Sequence, residues 1–411
     1  MNVVWLASWF PSRINISAGD FIERHAYAVA ANVDQLSVIV VLKDDAMPAN
    51  SVEIQQIKVG NLTIYTAYYG KSFWGGSIGK LLSQRKYLLL QNKIFKQIIS
   101  TEGKPDLVHV QVAMKAGLFA RKLKKKWGIP YIVTEHWSGY NMDCKPNIFD
   151  MGKLFLRLNM AVLKDAAMLL PVSQNLGNTI TNNFVKMPYT VVPNVVDTKH
   201  FFYKPYTNTP LFPLIENAAI NPVESANTTA IFQFIHPSYM NYPKNPEGIL
   251  HACKLLKGRG CSFIVQMIGN TNAALLLLAE ELGLLNSFVF FEDEIKYVAV
   301  AKRMQESNAL LMFSRYENLP CIILEALCCG LPVVSSRVGG IGEVVNENNG
   351  ILVQAGNTEQ LVQAMQQMID TYQSYNRPAI AASAAALFSY RVVGKTISNI
   401  YQNVLDKKWV N

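Results

Sequence analysis

Across 411 residues, short β-branched runs alternate with longer helical stretches, and this alternation restricts the chain more than any single residue does. In the first half the runs are Val3 to Leu6, Leu36 to Val41, Leu107 to Val110, Tyr131 to Thr134 and Ala167 to Val172. In the second half they are Ala230 to Phe234, Ser262 to Ile268, Ser287 to Phe291, Ala309 to Phe313 and Pro332 to Ser335. Strands separated by helices have to run parallel, because a parallel connection needs a long crossover. The predicted class is therefore α/β, with parallel sheets covered by helices. One hydrophobic core rarely grows past about 250–300 residues, so two domains of about 200 residues each are expected. The boundaries read as 1–200 and 201–387. Residues 205–229, with four prolines and no sustained period, read as a loop insertion. Helices are expected near Gly19 to Glu23, from Lys80 to Ile99, from Lys115 to Trp127, over 246–257, 272–282, 295–306 and 320–329, and last over Ser389 to Lys407. Periodicity does not say which domain takes the last one.

Composition narrows the function. Half of the residues are hydrophobic, yet no apolar stretch is long enough to cross a bilayer. The opening Met1 to Ala7 lacks a basic leader and reads as a first strand. Cys144, Cys253, Cys261, Cys321, Cys328 and Cys329 fall into neither a disulfide framework nor a metal spacing, which points to buried thiols in a cytoplasmic protein. The net charge of +9 calls for an anionic partner. Its densest cluster, Arg121 to Lys126, is either the solvated face and end of a helix or a contact with an anionic membrane surface or acceptor. No zinc-finger, RNA-binding or helix-turn-helix pattern accompanies the charge, so no nucleic acid is expected. No D-x-D pair suggests a magnesium site, so no metal is expected either.

Ligands of parallel sheets bind beyond the carboxyl ends of the strands. Gly19 follows the first strand and opens a helix, where its backbone can approach a phosphate. His109 and His136 stand near two strand ends, and His136 is favoured because Ser138 and Gly139 indicate an open loop. In the second half, Ser314 to Pro332 puts Glu317 in a loop, Pro320 at the start of a helix and Gly330 at its end. Glu317 suits hydroxyls of a sugar. Glu325, one turn into the helix among Ile322, Ile323, Ala326 and Leu327, needs partners that a ribose diol would supply. The N–H groups around Leu319, Pro320 and Cys321 suit phosphate or sugar oxygens. Lys244, just ahead of a helix, suits a diphosphate. Glu343 reads as a helix-start residue. Two G-K-S/T fragments, at Gly70 and Gly394, lack the upstream glycine of a phosphate loop.

Glu317 and Glu325 with seven residues between them, then Ala326 to Val334 and Val338-Gly339-Gly340, resemble the signature of retaining glycosyltransferase family 4. Val192 to Asp197 and Phe388-Ser389-Tyr390 extend the resemblance over nearly the whole chain. It implies a GT-B fold, two Rossmann-like domains with parallel sheets facing across a deep cleft. The first domain would bind the acceptor and be completed by a crossover helix at about 388–411; the second would bind the donor. By the same resemblance Gly19 approaches the donor diphosphate and His136 contacts the transferred sugar. Lys244 stabilises the leaving phosphate, Glu317 binds sugar hydroxyls and Glu325 binds the ribose. Many members have an arginine in the loop before the lysine. Here that loop offers His236, a candidate substitute.

The implied activity is transfer of a sugar, with retention, from a UDP- or GDP-linked donor to a hydroxyl of a glycan or lipid-linked oligosaccharide. No tightly bound cofactor is implied. The expected setting is surface-polysaccharide assembly in the cytoplasm, peripheral to the inner membrane. A nucleotide-sugar epimerase or a phosphorylase of the same fold, or a sugar-binding protein without turnover, are the competing classes.

Overall fold

The computed structural model describes residues 1–205 and 231–406. The insertion expected at 205–229 lies, after its first residue, outside them. The chain forms two compact units, Met1–Val195 together with the chain from Tyr390 onward, and Val196–Ser389.

The first unit runs β1 (Asn2–Ala7), α1 (Asp20–Ala30), β2 (Gln35–Lys43), β3 (Val52–Val59), β4 (Leu62–Tyr69), α2 (Gly76–Glu102), β5 (Leu107–Gln111), α3 (Gly117–Trp127), β6 (Tyr131–Glu135), α4 (Lys153–Asp165), β7 (Leu169–Pro171) and α5 (Gln174–Asn183). Its sheet has the order β3-β4-β2-β1-β5-β6-β7. Central β1 pairs in parallel with β2 (Asn2 opposite Gln35) and β5 (Val3 opposite Leu107). The second unit runs β8 (Phe232–Pro237), α6 (Pro246–Gly258), β9 (Phe263–Ile268), α7 (Ala273–Glu281), β10 (Val289–Glu292), α8 (Tyr297–Gln305), β11 (Ala309–Met312), α9 (Cys321–Cys328), β12 (Val333–Ser336), β13 (Gly350–Val353), α10 (Thr358–Thr371) and α11 (Arg377–Phe388). Its sheet, β10-β9-β8-β11-β12-β13, is parallel throughout. The expected class of two Rossmann-like α/β units with parallel sheets is what the chain forms.

One pair departs from it. β3 lies antiparallel to β4 at the edge of the first sheet, in a stretch where no strand was expected. The faces of β3 are mostly exposed, so its sequence, Val-Glu-Ile-Gln-Gln-Ile-Lys-Val, shows no clean apolar alternation, whereas β4 is buried along its whole length.

The last helix, α12 (Tyr390–Leu405), belongs to the first unit. Val393, Ile397, Ile400, Tyr401 and Val404 are its buried residues, at spacings that put them on one face. Burying each is worth about 1.5–3 kcal/mol. A Cβ on Gly394 would stand 2.1 Å from the carbonyl oxygen of Ala28, so this glycine lets α12 cross α1 at backbone contact. Tyr401 then reaches the sheet. Trp5 Nε1–H donates to its hydroxyl (2.9 Å), which pairs with His109 Nδ1 (2.7 Å), while His109 Nε2 pairs with Thr134 (2.6 Å). All four residues are buried.

Right-handed crossovers put α1, which steps from β1 to β2, on one face of this sheet. They put α2, α3 and α4, which step the other way, on the opposite face.

Candidate active site

In the second unit, buried Phe313 and Ser314 follow β11 and lead the chain into a loop over 315–319. Glu317 sits in that loop. Its Oε1 accepts from the Ser314 hydroxyl (2.9 Å) and from Lys244 Nζ (2.5 Å). The ion pair is mostly enclosed, with 18% and 12% of the two side chains exposed. Lys244 comes from the loop between β8 and α6, and Arg315 fastens that loop to the first. The Arg315 N–H donates to Pro243 O (2.8 Å), its guanidinium donates to Tyr242 O (2.6 Å), and it stacks 4.3 Å over the Tyr242 ring. By motif and spacing Lys244 and Glu317 have separate tasks; the fold makes them one charged pair.

Gly339 and Gly340 explain why the Glu317 loop stays in place. Gly339 has φ +53°, and a Cβ there would lie 2.1 Å from Glu317 O and 2.8 Å from Asn318 O. The Gly340 N–H donates to Asn318 O (2.6 Å). Backbone therefore lies directly on backbone, which only glycine permits. Beyond this pair, Ile341 to Glu343 is a single 3-10 turn, so Glu343 closes a turn rather than opening a helix.

Pro320 caps α9 in extended backbone, and Leu319 is buried beside it. Helix α9 ends at Gly330 (φ +68°), where the Leu331 N–H reaches back to Ala326 O (2.9 Å) in a Schellman-type closure. Glu325 is 3% exposed on this helix, and the Tyr297 hydroxyl at the start of α8 donates to its Oε1 (3.0 Å). Tyr297 packs on Phe201, ring centres 4.7 Å apart. A carboxylate so deep requires donors, and Tyr297 is one that sequence reasoning missed, since nothing in a tyrosine 28 residues upstream announces the pairing.

His236 corrects an expectation. It is fully buried at the end of β8. Its Nδ1–H donates to Leu311 O (2.7 Å), its Nε2 is engaged by Ser238 Oγ (2.8 Å), and Ser238 accepts from the Met240 N–H (3.1 Å). Burial lowers its pKa to about 4, against the hydrogen bond to Leu311. The ring is neutral with both nitrogens occupied, so it does not replace a phosphate-binding arginine.

In the first unit, Gly19 caps α1 with φ +73°, and a Cβ on it would stand 2.8 Å from the Trp9 carbonyl carbon. The loop after β1 thus doubles back tightly onto the helix start. Phe21, two residues on, packs on His136 (ring centres 4.6 Å apart), and His25 lies 5.8 Å from the same ring. The fold so joins the Gly19 turn to His136. Burial pushes the His136 pKa well below the usual histidine range; neighbouring His25 and His109 add to the effect and a hydrogen bond with Asn194 opposes it. Burial likewise lowers His25 to about 4. His109 is the second histidine of the expected mouth. Its ring nitrogens face Tyr401 and Thr134, so it braces the sheet against α12 and is not part of the site.

A third residue sets the His136 loop. Glu135, fully buried, accepts from the N–H groups of Trp137 (2.9 Å), His136 (3.0 Å) and Ala113 (3.1 Å) and from the Tyr140 hydroxyl (3.2 Å). It ties the loop after β6 to the loop after β5. Burial pushes its pKa up and these bonds draw it back. Its place at a strand end beside His136 was the available signal. Among the described residues no group of three His, Cys, Asp or Glu is placed to hold a metal ion.

Comparison with known proteins agrees with this architecture. The family description Glycosyltransferase Family 4 matches residues 22–200, and Glycosyl transferases group 1 matches 223–384. The chain is 27% identical over 311 residues to an uncharacterized glycosyltransferase of Methanocaldococcus jannaschii, covering 75% of this chain and 76% of that one. It is 33% identical over 146 residues to a Vi polysaccharide biosynthesis protein of Salmonella typhi, a match of 34% of this chain and 24% of that protein's length. In structure it is similar to the Anabaena protein HepE, solved in complex with UDP, with a TM-score of 0.69, 16% identity, and 98% of this chain and 100% of that one covered. Glycosyltransferase domains are thus matched in both halves of the chain, Family 4 over residues 22–200 and group 1 over residues 223–384, and the architecture is that of the GT-B fold.

Proposed function

We propose that the chain transfers a sugar, with retained anomeric configuration, from a nucleotide-diphosphate-sugar to a hydroxyl of a glycan or lipid-linked oligosaccharide in polysaccharide biosynthesis. The observation that carries this reading is the enclosed Lys244–Glu317 pair beside a helix bearing buried Glu325. Together they put a cation for a diphosphate, an acceptor for sugar hydroxyls and an acceptor for a ribose within one unit. The UDP held by HepE makes a UDP-sugar the first donor to try, and the Vi polysaccharide relative supports the polymeric acceptor.

In this reading the bond from the sugar's anomeric carbon to the diphosphate breaks. A new bond to the acceptor oxygen forms on the same face, and the acceptor proton passes to the departing diphosphate. Lys244 neutralises the charge that grows on that leaving group. Glu317 holds Lys244 in place and accepts from sugar hydroxyls, Glu325 accepts from the ribose, and neutral His136 offers a hydrogen bond to the sugar. Gly19 and the N–H groups at Leu319 and Cys321 serve the phosphates. Neither glutamate transfers a proton.

The test is Lys244→Ala assayed with UDP- and GDP-sugars. Turnover is expected to fall about 100- to 1000-fold, the usual cost of removing one preorganised charge-stabilising group, with a much smaller change in acceptor KM. Normal turnover would remove Lys244 from the mechanism. An inverted product, read from the anomeric coupling, would overturn the retaining chemistry.

A further inference from the structure

The positive charge of this chain is concentrated in one stretch. Residues 71–134 carry 13 lysines and arginines against only Glu102 and Asp106, which leaves 25 against 27 in the remainder. The basic surplus therefore falls in this stretch, and ten of its 13 cations are on α2 and α3, one helix layer of the first unit. On α3, the buried face is Phe119, Ala120 and Leu123, and the opposite face is a row of lysines. Asp165 takes Arg121 (2.6 Å) and, through its carbonyl, Lys124 (2.6 Å). Lys122, Lys125 and Lys126 line a shallow concavity of about 490 Å³ with Arg121 and Leu118, and none of the three pairs with an acidic side chain among the described residues.

Neighbouring α2 adds an exposed apolar stretch. Phe95 of α2 packs on Phe119 and Trp127 of α3, at 5.8 and 6.5 Å, so the two helices are neighbours. The turn leading into α2 exposes Phe73 (78%) and Trp74 (66%), and α2 itself exposes Ile78 (61%), Leu81 (58%) and Leu89 (66%). Ile78, Leu81, Arg85, Leu89, Lys93 and Lys96 follow each other at three or four residues, a single exposed stripe. A helix offering aliphatic side chains between cations, entered by an aromatic pair, has the makings of a bilayer-interface element.

We propose that this outer face of α2 and α3 docks on an anionic lipid bilayer, with Phe73, Trp74, Ile78 and Leu81 entering the headgroup region and the lysines of both helices meeting lipid phosphates. Charge complementarity fixes the sign of the partner, and the aliphatic stripe fixes its kind. A soluble acidic polymer would pair with the lysines and leave Ile78, Leu81 and Leu89 in water. A second copy of the chain would bring like charges together.

The experiment is co-sedimentation of the full chain with vesicles of phosphatidylcholine alone and with about a third phosphatidylglycerol, at about 0.1 M and about 1 M salt. Binding is expected to the anionic vesicles and to weaken steeply with salt. Lys122→Gln/Lys125→Gln/Lys126→Gln is expected to lower partitioning about 100-fold, about five-fold per charge. Phe73→Ser/Trp74→Ser is expected to abolish the binding that survives high salt. All five side chains are exposed, and unchanged melting temperatures check that the variants fold. Equal binding to both vesicle types, or none, overturns the proposal. So does equally tight binding of a soluble acidic polysaccharide that ignores the Phe73/Trp74 change, and so does a stable dimer that this change dissolves. Vesicle binding involves no turnover, so its outcome is separate from that of the donor reading.

Discussion

Gly339→Ala tests how the candidate donor loop is held. At φ +53° an alanine costs about 1–2 kcal/mol. Its Cβ would also lie 2.1 Å from Glu317 O, so the loop has to retreat by more than about 1 Å to reach an ordinary contact. That retreat breaks the Gly340 to Asn318 hydrogen bond, worth about 1 kcal/mol. The total is about 2–3 kcal/mol, and for a unit of this size about 2–4 °C of melting temperature goes with each kcal/mol. Calorimetric melting should therefore fall by about 4–12 °C. Because Glu317 carries Lys244 with it, a shift of about 1 Å should also lower turnover about 100-fold at saturating donor. Two independent readouts make the test strict. A variant that melts within about 2 °C of the parent and turns over normally would show that Gly339 does not seat the loop.

Three further outcomes are expected. Glu325→Ala should weaken nucleotide binding at least ten-fold by titration calorimetry, and Tyr297→Phe by a few-fold, since it removes one of the donors to a buried carboxylate; unchanged affinity in Glu325→Ala would sink the ribose assignment. Burial holds His25 and His236 neutral with pKa values of about 4, so the unfolded chain binds protons between pH 6.5 and 4 while the native chain does not. Each ring then contributes stability that is fully present above pH 6.5 and lost as pH falls toward 4, about 3 kcal/mol apiece, and His236→Gln should flatten that dependence in urea titrations. Tyr401→Phe should cost about 2–4 kcal/mol, because it strips buried Trp5 Nε1–H and His109 Nδ1 of their shared partner; a midpoint unchanged in urea would contradict this.

Elements that carry their own period were legible. The helices from Asp20, Pro246 and Tyr390 and the strands from Leu36, Leu107 and Ala309 stand within a few residues of where apolar spacing put them. Edge strand β3 was not, because both of its faces are largely exposed and its residues alternate irregularly. Helices α4, α5, α10 and α11 also went unread. At the site, Glu317, Glu325 and the glycines after β12 stood out as a pattern, whereas their partners did not. Tyr297 reaches Glu325 only through tertiary packing, and the pairing of Lys244 with Glu317 spans 73 residues. The tautomer of His236 depends on a carbonyl of a neighbouring strand, which no local spacing encodes.

The return of α12 gives the first unit a discontinuous chain. Its central strand waits for a tyrosine 396 residues downstream before Trp5 finds its acceptor. During synthesis the second unit, an uninterrupted stretch, emerges and can fold first, while the earlier-made unit stays incomplete until α12 has been made. A chain cut after Ser389 would keep every strand of both sheets and lose the helix that shields α1 and β1 from water. Such truncation should therefore act on the N-terminal half of the protein, far from the cut in sequence, and expose its apolar face to aggregation.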